Sequence, residues 1–123
     1  MDLDLIKAAA GRMRGHARET PLLNSPFLDE IAGRPIWVKA ECLQHTGSFK
    51  YRGAFAAISA LNEAQRRKGV LAFSSGNHAQ GVALAAKQRD TSALIIMPGD
   101  APRIKINNTK ALGAEVQLYD RHK

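Results

Sequence analysis

The stretch "GVLAFSSGNHAQGVALAAKQRDTSALIIMPGD", Gly69 to Asp100, carries two apolar runs separated by a helical stripe. "GVLAFSS" has the length of a short buried strand and is bounded by Gly69 and Gly76. Ala79, Val82, Ala83 and Ala86 recur at helical spacing, and their small side chains permit close packing on a sheet. "SALIIM" is an apolar run of the right length for a strand buried on both faces, and Pro98-Gly99-Asp100 turns away from it. The stretch therefore reads strand, helix, strand.

Working outward, a helix from about Arg103 to Leu112 ends at Gly113, a left-handed cap position, and "AEVQLY" is a further strand. Upstream, Phe55, Ile58 and Leu61 mark one face of a helix running to about Lys68. From Gly47 onward helices and strands alternate through short loops. That order predicts an α/β fold, an open parallel sheet with flanking helices and right-handed crossovers. Before it, residues 3–18 predict a helix with Leu3, Ile6, Ala10 and Met13 on a narrow apolar stripe, ended by Thr20-Pro21. Leu22-Leu23 is extended, Asn24-Ser25-Pro26 turns, and Phe27, Leu28 and Ile31 form an apolar cluster closed by Gly33. "PIWVKAE" alternates, so Ile36 to Glu41 is expected to be a strand.

At 123 residues, 45% of them apolar, the chain suits one domain or a piece of one. No apolar run approaches the roughly 20 residues that span a bilayer, and the charged opening lacks the core of a signal peptide, so a cytoplasmic location is expected. Cys42 stands alone, which excludes an internal disulfide or a cysteine-based zinc cluster and leaves it the role of a small core filler. The net charge is +7, but Lys and Arg are spread along the chain, and the run Arg66-Arg67-Lys68 closes a helix, where it complements the dipole. No nucleic-acid signature accompanies the charge, and a solvated basic surface or a site for an anionic cofactor accounts for it better.

Two loops at strand-to-helix junctions carry unusual chemistry: "HTGSFKYRG", His45 to Gly53, and "FSSGNHAQG", Phe73 to Gly81. In the second, Ser74, Ser75 and Asn77 supply short polar side chains, Gly76 lets a ligand approach the backbone, and the helix opens near His78. Such a loop suits a carboxylate or phosphate, and it equally suits plain N-capping. In the first, Lys50 sits at a helix start beside Phe49, a setting that helps lower an amine's pKa through the dipole and partial burial. A neutral amine can attack a carbonyl. Neither loop is a P-loop or a G-x-G-x-x-G, there is no nucleophile elbow, and no His/Asp/Glu spacing suggests a metal.

"TGSFKYRGA" with "SSGNHAQGVA" resembles the fold type II, tryptophan-synthase-β-like, pyridoxal-phosphate enzymes, and within them the threonine/serine dehydratase and serine racemase branch. The likeness extends through "TPLLNS", "IWVKAECLQ" and "IIMPGDAPRIKINNTKALGAEVQLYD". The resemblance implies that Lys50 holds pyridoxal 5'-phosphate as a Schiff base and, once freed, takes the substrate α-proton. Phe49 packs beside the cofactor, and Asn77 meets its ring hydroxyl. Ser74, Ser75, Gly76, Asn77 and His78 form the loop that binds the substrate carboxylate. The implied reaction converts L-threonine or L-serine to a 2-oxo acid and ammonia. Ser75 also matches the second acid/base of the racemases, which leaves serine racemase and hydroxyaspartate dehydratase open as alternatives.

Whole members of that family are more than twice this length. The resemblance therefore implies a chain read as an N-terminal fragment, with residues 1–47 in a large cofactor domain and 48–123 forming most of a smaller mobile one. The phosphate cradle is expected beyond residue 123. A small hydroxy amino acid is the expected partner, with no nucleic acid and no membrane, and an uncovered sheet is expected to favour homo-oligomers. A non-catalytic module associating through that sheet is the alternative from a different class.

Overall fold

A computed structural model describes residues 2–121. Its first helix, α1 (Leu3–Met13), opens at Asp2, whose carboxylate accepts from the backbone N–H of Asp4 at 3.1 Å. It stops five residues before the expected end, because the chain turns at Arg14 and Gly15 takes a left-handed φ of 76°. The expected stripe is largely uncovered: Leu3 and Ile6 are exposed, and only Met13 packs on the core.

Strands β1 (Leu22–Asn24) and β2 (Trp37–Lys39) pair antiparallel, with α2 (Pro26–Ala32) between them. Asp29 ties this unit together, its carboxylate accepting from Asn24 Nδ2 at 3.0 Å and from the backbone N–H of Ile36 at 2.6 Å. β2 is shorter than Ile36 to Glu41, since Glu41–Leu43 and His45–Gly47 wind into two 3-10 turns. Cys42 on the first turn is exposed, so it fills no core. The apolar cluster of α2 also faces outward, with Phe27 79% and Ile31 84% exposed.

The helix expected to run to Lys68 is two helices, α3 (Lys50–Ser59) and α4 (Glu63–Arg67). Asn62 breaks it. Its side chain accepts from the N–H of Gln65 at 2.9 Å while Gln65 Oε1 accepts from the N–H of Asn62 at 2.9 Å, a reciprocal capping box that starts a new helix. The apolar periodicity continues across this break, which is why it conceals the cap.

Then follow β3 (Val70–Phe73), α5 (Asn77–Gln88), β4 (Ala93–Pro98), α6 (Arg103–Ala111) and β5 (Glu115–Tyr119). The three strands form a parallel sheet in the order β3-β4-β5, with Ala72 opposite Ile95 and Ile95 opposite Val116. The parallel sheet with flanking helices is therefore the observed fold. Tyr51 and Phe55 of α3, Val82 and Ala83 of α5 and Ile106 of α6 close over Ile95 and Met97. Full burial of a side chain such as Phe55, Ile95 or Met97 stabilises the fold by roughly 1.5–3 kcal/mol. The other face of the sheet is not covered: Leu71 is 69% and Phe73 65% exposed, and Leu94 and Ile96 are only half-buried. The "SALIIM" strand is thus buried on one face rather than two.

Two contacts fix α3. At Gly81 a Cβ would lie 3.1 Å from the carbonyl carbon of Lys50 and 3.1 Å from the backbone nitrogen of Tyr51, so α5 crosses the start of α3 at backbone distance. On the other side, Arg52 forks onto Glu41, Nε donating to Oε2 at 2.7 Å and Nη2 to Oε1 at 2.8 Å, while the Thr20 hydroxyl donates to Oε1 at 2.5 Å. The Arg52 and Thr20 bonds hold the Glu41 carboxyl down at about 2, against an ordinary 4.5, although partial burial works the other way. Gln44 pins the following turn, accepting from the N–H of Arg18 at 3.0 Å and donating to its carbonyl at 2.9 Å. Deeper in, burial raises the Tyr51 phenol, whose hydroxyl donates to Gln88 Oε1 at 2.7 Å and partly offsets that rise.

Gly81→Ala forces backbone against backbone and is expected to lower unfolding stability by about 1–3 kcal/mol. Gly53→Ala, on α3 with open space at its Cβ, is expected to raise stability by about 0.5–1 kcal/mol. Chemical denaturation of both variants checks the pair; equal effects would contradict the crossing. Because the Glu41 pKa is depressed on folding, its contribution is full above about pH 4.5 and is lost as pH falls towards about 2. Glu41→Gln is therefore expected to be less stable than the parent by about 1–3 kcal/mol near neutrality, with the gap narrowing through that acid window in pH-dependent urea unfolding.

Candidate active site

The parallel sheet sends β3 into α5 and β4 into α6 at the same end of its strands. The loop Ser74-Ser75-Gly76 joins β3 to α5, with the N–H of Ser74 still donating to the carbonyl of Ile96 at 3.1 Å. All three loop residues are half-buried, and Asn77 and His78, the first two residues of α5, are exposed. The serines do not serve as the plain cap that the sequence also allowed. Gly76 is the N-cap and brings no side-chain bond to the first turn, while Ser74 Oγ accepts only from the N–H of Gly76, at 3.3 Å. A Cβ at Gly76 would meet nothing within 4 Å, so the first-turn N–H groups of α5 open onto free space.

Lys50 begins α3, with Phe49 before it. Gly81 is one helical turn beyond Asn77, about 5–6 Å along α5, and it touches the Lys50 backbone. The crossing therefore brings Lys50 and the serine loop, 24 residues or more apart in sequence, into one neighbourhood. Lys50 Nζ lies 4.8 Å from the centroid of the Phe49 ring, within cation–π range. Neither side chain is sequestered: Lys50 is exposed and Phe49 58% so. The partial burial expected of Lys50 is thus absent, and position along a helix dipole is what distinguishes this amine.

Electrostatics separate this end of the molecule from the rest. Helices α1, α2 and α4 each carry an acidic residue in the first turn, Asp4, Asp29 and Glu63, the usual complement to the positive end of the dipole. Helices α3, α5 and α6 carry none there. In its place stand Lys50 on α3 and Arg103 and Lys105 on α6, each opposed by the dipole by about 0.3–1 kcal/mol. An anion brought to this corner meets three uncompensated helix N-termini and two lysines.

Lys105 escaped sequence reasoning. Its Nζ donates to Asn77 Oδ1 at 2.8 Å, joining α6 to the first residue of α5. The signal was available in the third βα junction: a basic first turn with no carboxylate, the same pattern as at Lys50. Ser48, two residues before Lys50, is buried, and its hydroxyl has no hydrogen-bond partner among the described residues. Together the described residues present a primary amine beside an aromatic ring, a polar anion loop, an amide and a second amine.

Known proteins share this arrangement of elements. The chain is 54% identical over 118 residues to an L-threo-3-hydroxyaspartate ammonia-lyase of Pseudomonas sp, covering 96% of this chain and 37% of that protein. It is 48% identical over 120 residues to a serine racemase of Schizosaccharomyces pombe, covering 98% of this chain and 37% of that protein. The solved structure of the processed form of threonine deaminase isoform 2 from Solanum lycopersicum superposes with a TM-score of 0.86 at 38% identity, over 96% of this chain and 35% of that one. The chain thus spans little more than a third of the length of these relatives. Residues 13–123 match the family described as "Pyridoxal-phosphate dependent enzyme", and at that coverage the chain belongs to it.

Proposed function

We propose that the protein carrying this chain is a pyridoxal-phosphate-dependent ammonia-lyase that converts a β-hydroxy amino acid to a 2-oxo acid and ammonia. The observation that supports the reading is the crossing at Gly81, where α5 meets the backbone of Lys50 one helical turn after Asn77. The residues fit the family's cofactor. The helix starts there carry no carboxylate, the Ser48 hydroxyl is buried without a hydrogen-bond partner among the described residues, and a Cβ at Gly76 would meet open space. When bound, the cofactor supplies an electron sink for a carbanion at the substrate α-carbon.

In this reading Lys50 Nζ holds the cofactor and then takes the α-proton, its helix-start position keeping the amine within reach of the loop. Phe49 covers one side of the ring. The N–H groups opening α5, with Ser74, Ser75, Gly76 and His78, receive the substrate carboxylate, as bare helix N-termini do. Asn77 donates to the ring hydroxyl. Residues 1–47 belong to a larger cofactor domain and 48–123 form most of a smaller mobile domain. The protein is cytoplasmic and homo-oligomeric.

A second reading, amino-acid racemisation, is favoured by Ser75, a half-buried residue of the β3–α5 loop, and by the likeness to a serine racemase. The two differ in what Ser75 does: a racemase needs its Oγ as a second acid/base, whereas elimination does not. The exposed faces of α2 and of the parallel sheet favour the reading of a non-catalytic module only if the chain binds no cofactor.

Added pyridoxal phosphate is expected to give the visible absorbance of a lysine-bound cofactor, lost in Lys50→Ala. In a chain extended to the relatives' full length, 2-oxo acid release from threonine, serine and 3-hydroxyaspartate is expected to fall by about 10²–10⁴-fold or more in Lys50→Ala. Ser75→Ala is expected to retain elimination within about 10-fold while losing any racemisation by about 10²-fold or more. No 2-oxo acid from any of the three substrates would overturn the ammonia-lyase reading.

A further inference from the structure

We propose that Lys105 is a positioning residue that fixes which end of the Asn77 amide faces the ligand; the proposal rests on the reading of Asn77 as the partner of the cofactor's ring hydroxyl. An ammonium has three donors and no acceptor, so the Asn77 atom 2.8 Å from Lys105 Nζ is the amide oxygen. The Asn77 Nδ2 group is then directed away from Lys105 and is available as a donor. An oxygen-bearing ligand in front of α5 meets an N–H donor rather than a second oxygen. Without Lys105 the amide is free to turn over, since its two ends have nearly the same shape.

Lys105 is built to hold this place. It is half-buried, its backbone N–H donates to the carbonyl of Pro102 at 2.8 Å, and its carbonyl accepts from the hydroxyl of the fully buried Thr109 at 2.8 Å. Its ammonium makes no ion pair with a carboxylate among the described residues. It stands at the positive end of α6 and beside the positive end of α5, neither of which has an acidic first turn. The charge is thus spent on Asn77 and on whatever anion arrives. The ammonium also polarises the Asn77 amide, which strengthens its N–H groups as donors.

The test is a thermodynamic cycle, on the chain extended to the relatives' full length, with two non-covalent probes, 4-deoxypyridoxine 5'-phosphate and the same compound lacking the ring hydroxyl, followed by NMR titration. Lys105→Met and Asn77→Ala are each expected to weaken the hydroxylated probe by about 5–20-fold, the range of one charge-influenced hydrogen bond, and the other probe by less than about 2-fold. Lys105→Arg is expected to bind both probes as the parent does, and Lys105→Gln, which can still donate without a charge, to fall between. In the parent chain the Asn77 side-chain N–H resonances are expected to move with the hydroxylated probe only. This last measurement stands even if a variant does not fold. Equal losses for both probes in Lys105→Met, with the hydroxyl-dependent loss kept in Asn77→Ala, overturn the role of Lys105 alone. Equal losses in Asn77→Ala overturn the reading of Asn77 beneath it, and no binding to the extended parent protein overturns both.

Discussion

The proposed site depends on one contact, that between Gly81 and the backbones of Lys50 and Tyr51. Two helices can cross with their main chains this close only where one of them lacks a side chain. The benefit is double. Tyr51 and Phe55 drop fully into the core with Val82 and Ala83, and Lys50, one residue before Tyr51, meets Gly81 through its backbone while its side chain stays exposed. The buried side of α3 fixes the exposed one. Arg52, on the next position, locks the same turn from outside through its fork onto Glu41. Lys50 therefore sits on a helix start held from two directions, with its exposed side chain over the Phe49 ring.

Acidic residues are distributed unevenly over the helix starts. Helix starts that serve structure alone, on α1, α2 and α4, are neutralised by Asp4, Asp29 and Glu63. Those at the ends of β3 and β4, on α5 and α6, carry no carboxylate, and α6 adds Arg103 and Lys105. A fold selected for stability alone would place carboxylates there too, since each would contribute up to about 1 kcal/mol. Their absence leaves that favourable interaction to an incoming carboxylate or phosphate.

Much of this was legible in the sequence, for reasons that differ by element. The β3-α5-β4-α6-β5 alternation was readable because its strands are short apolar runs and its helices carry small residues on one face. The α3–α4 break was not, because Asn62 and Gln65 act through side-chain hydrogen bonds that leave the apolar spacing untouched. Lys50 and the serine loop stood out as motifs. Lys105 did not, since its role depends on α6 docking its first turn against Asn77, 28 residues away. Burial was the least readable property: "SALIIM" and the Phe27, Leu28 and Ile31 cluster have core composition, yet each faces outward on at least one side. Composition reports that a face wants cover, not whether this stretch of chain supplies it.

That distinction bears on how Lys50 becomes reactive. Desolvation is one route to an active amine, and the aromatic neighbour invites that account. Yet Phe49 is 58% exposed and the lysine it adjoins is exposed too, its Nζ 4.8 Å from the ring centroid. What the described residues supply is placement: a helix start, an anion loop one turn away and a second cation on Asn77. Closing a dry pocket around the amine requires surface from elsewhere, and the uncovered apolar faces at Leu71 and Phe73 and at Phe27 and Ile31 are where additional protein would gain most by packing. Orientation is thus encoded in this chain, and desolvation is the contribution that a covering surface would add.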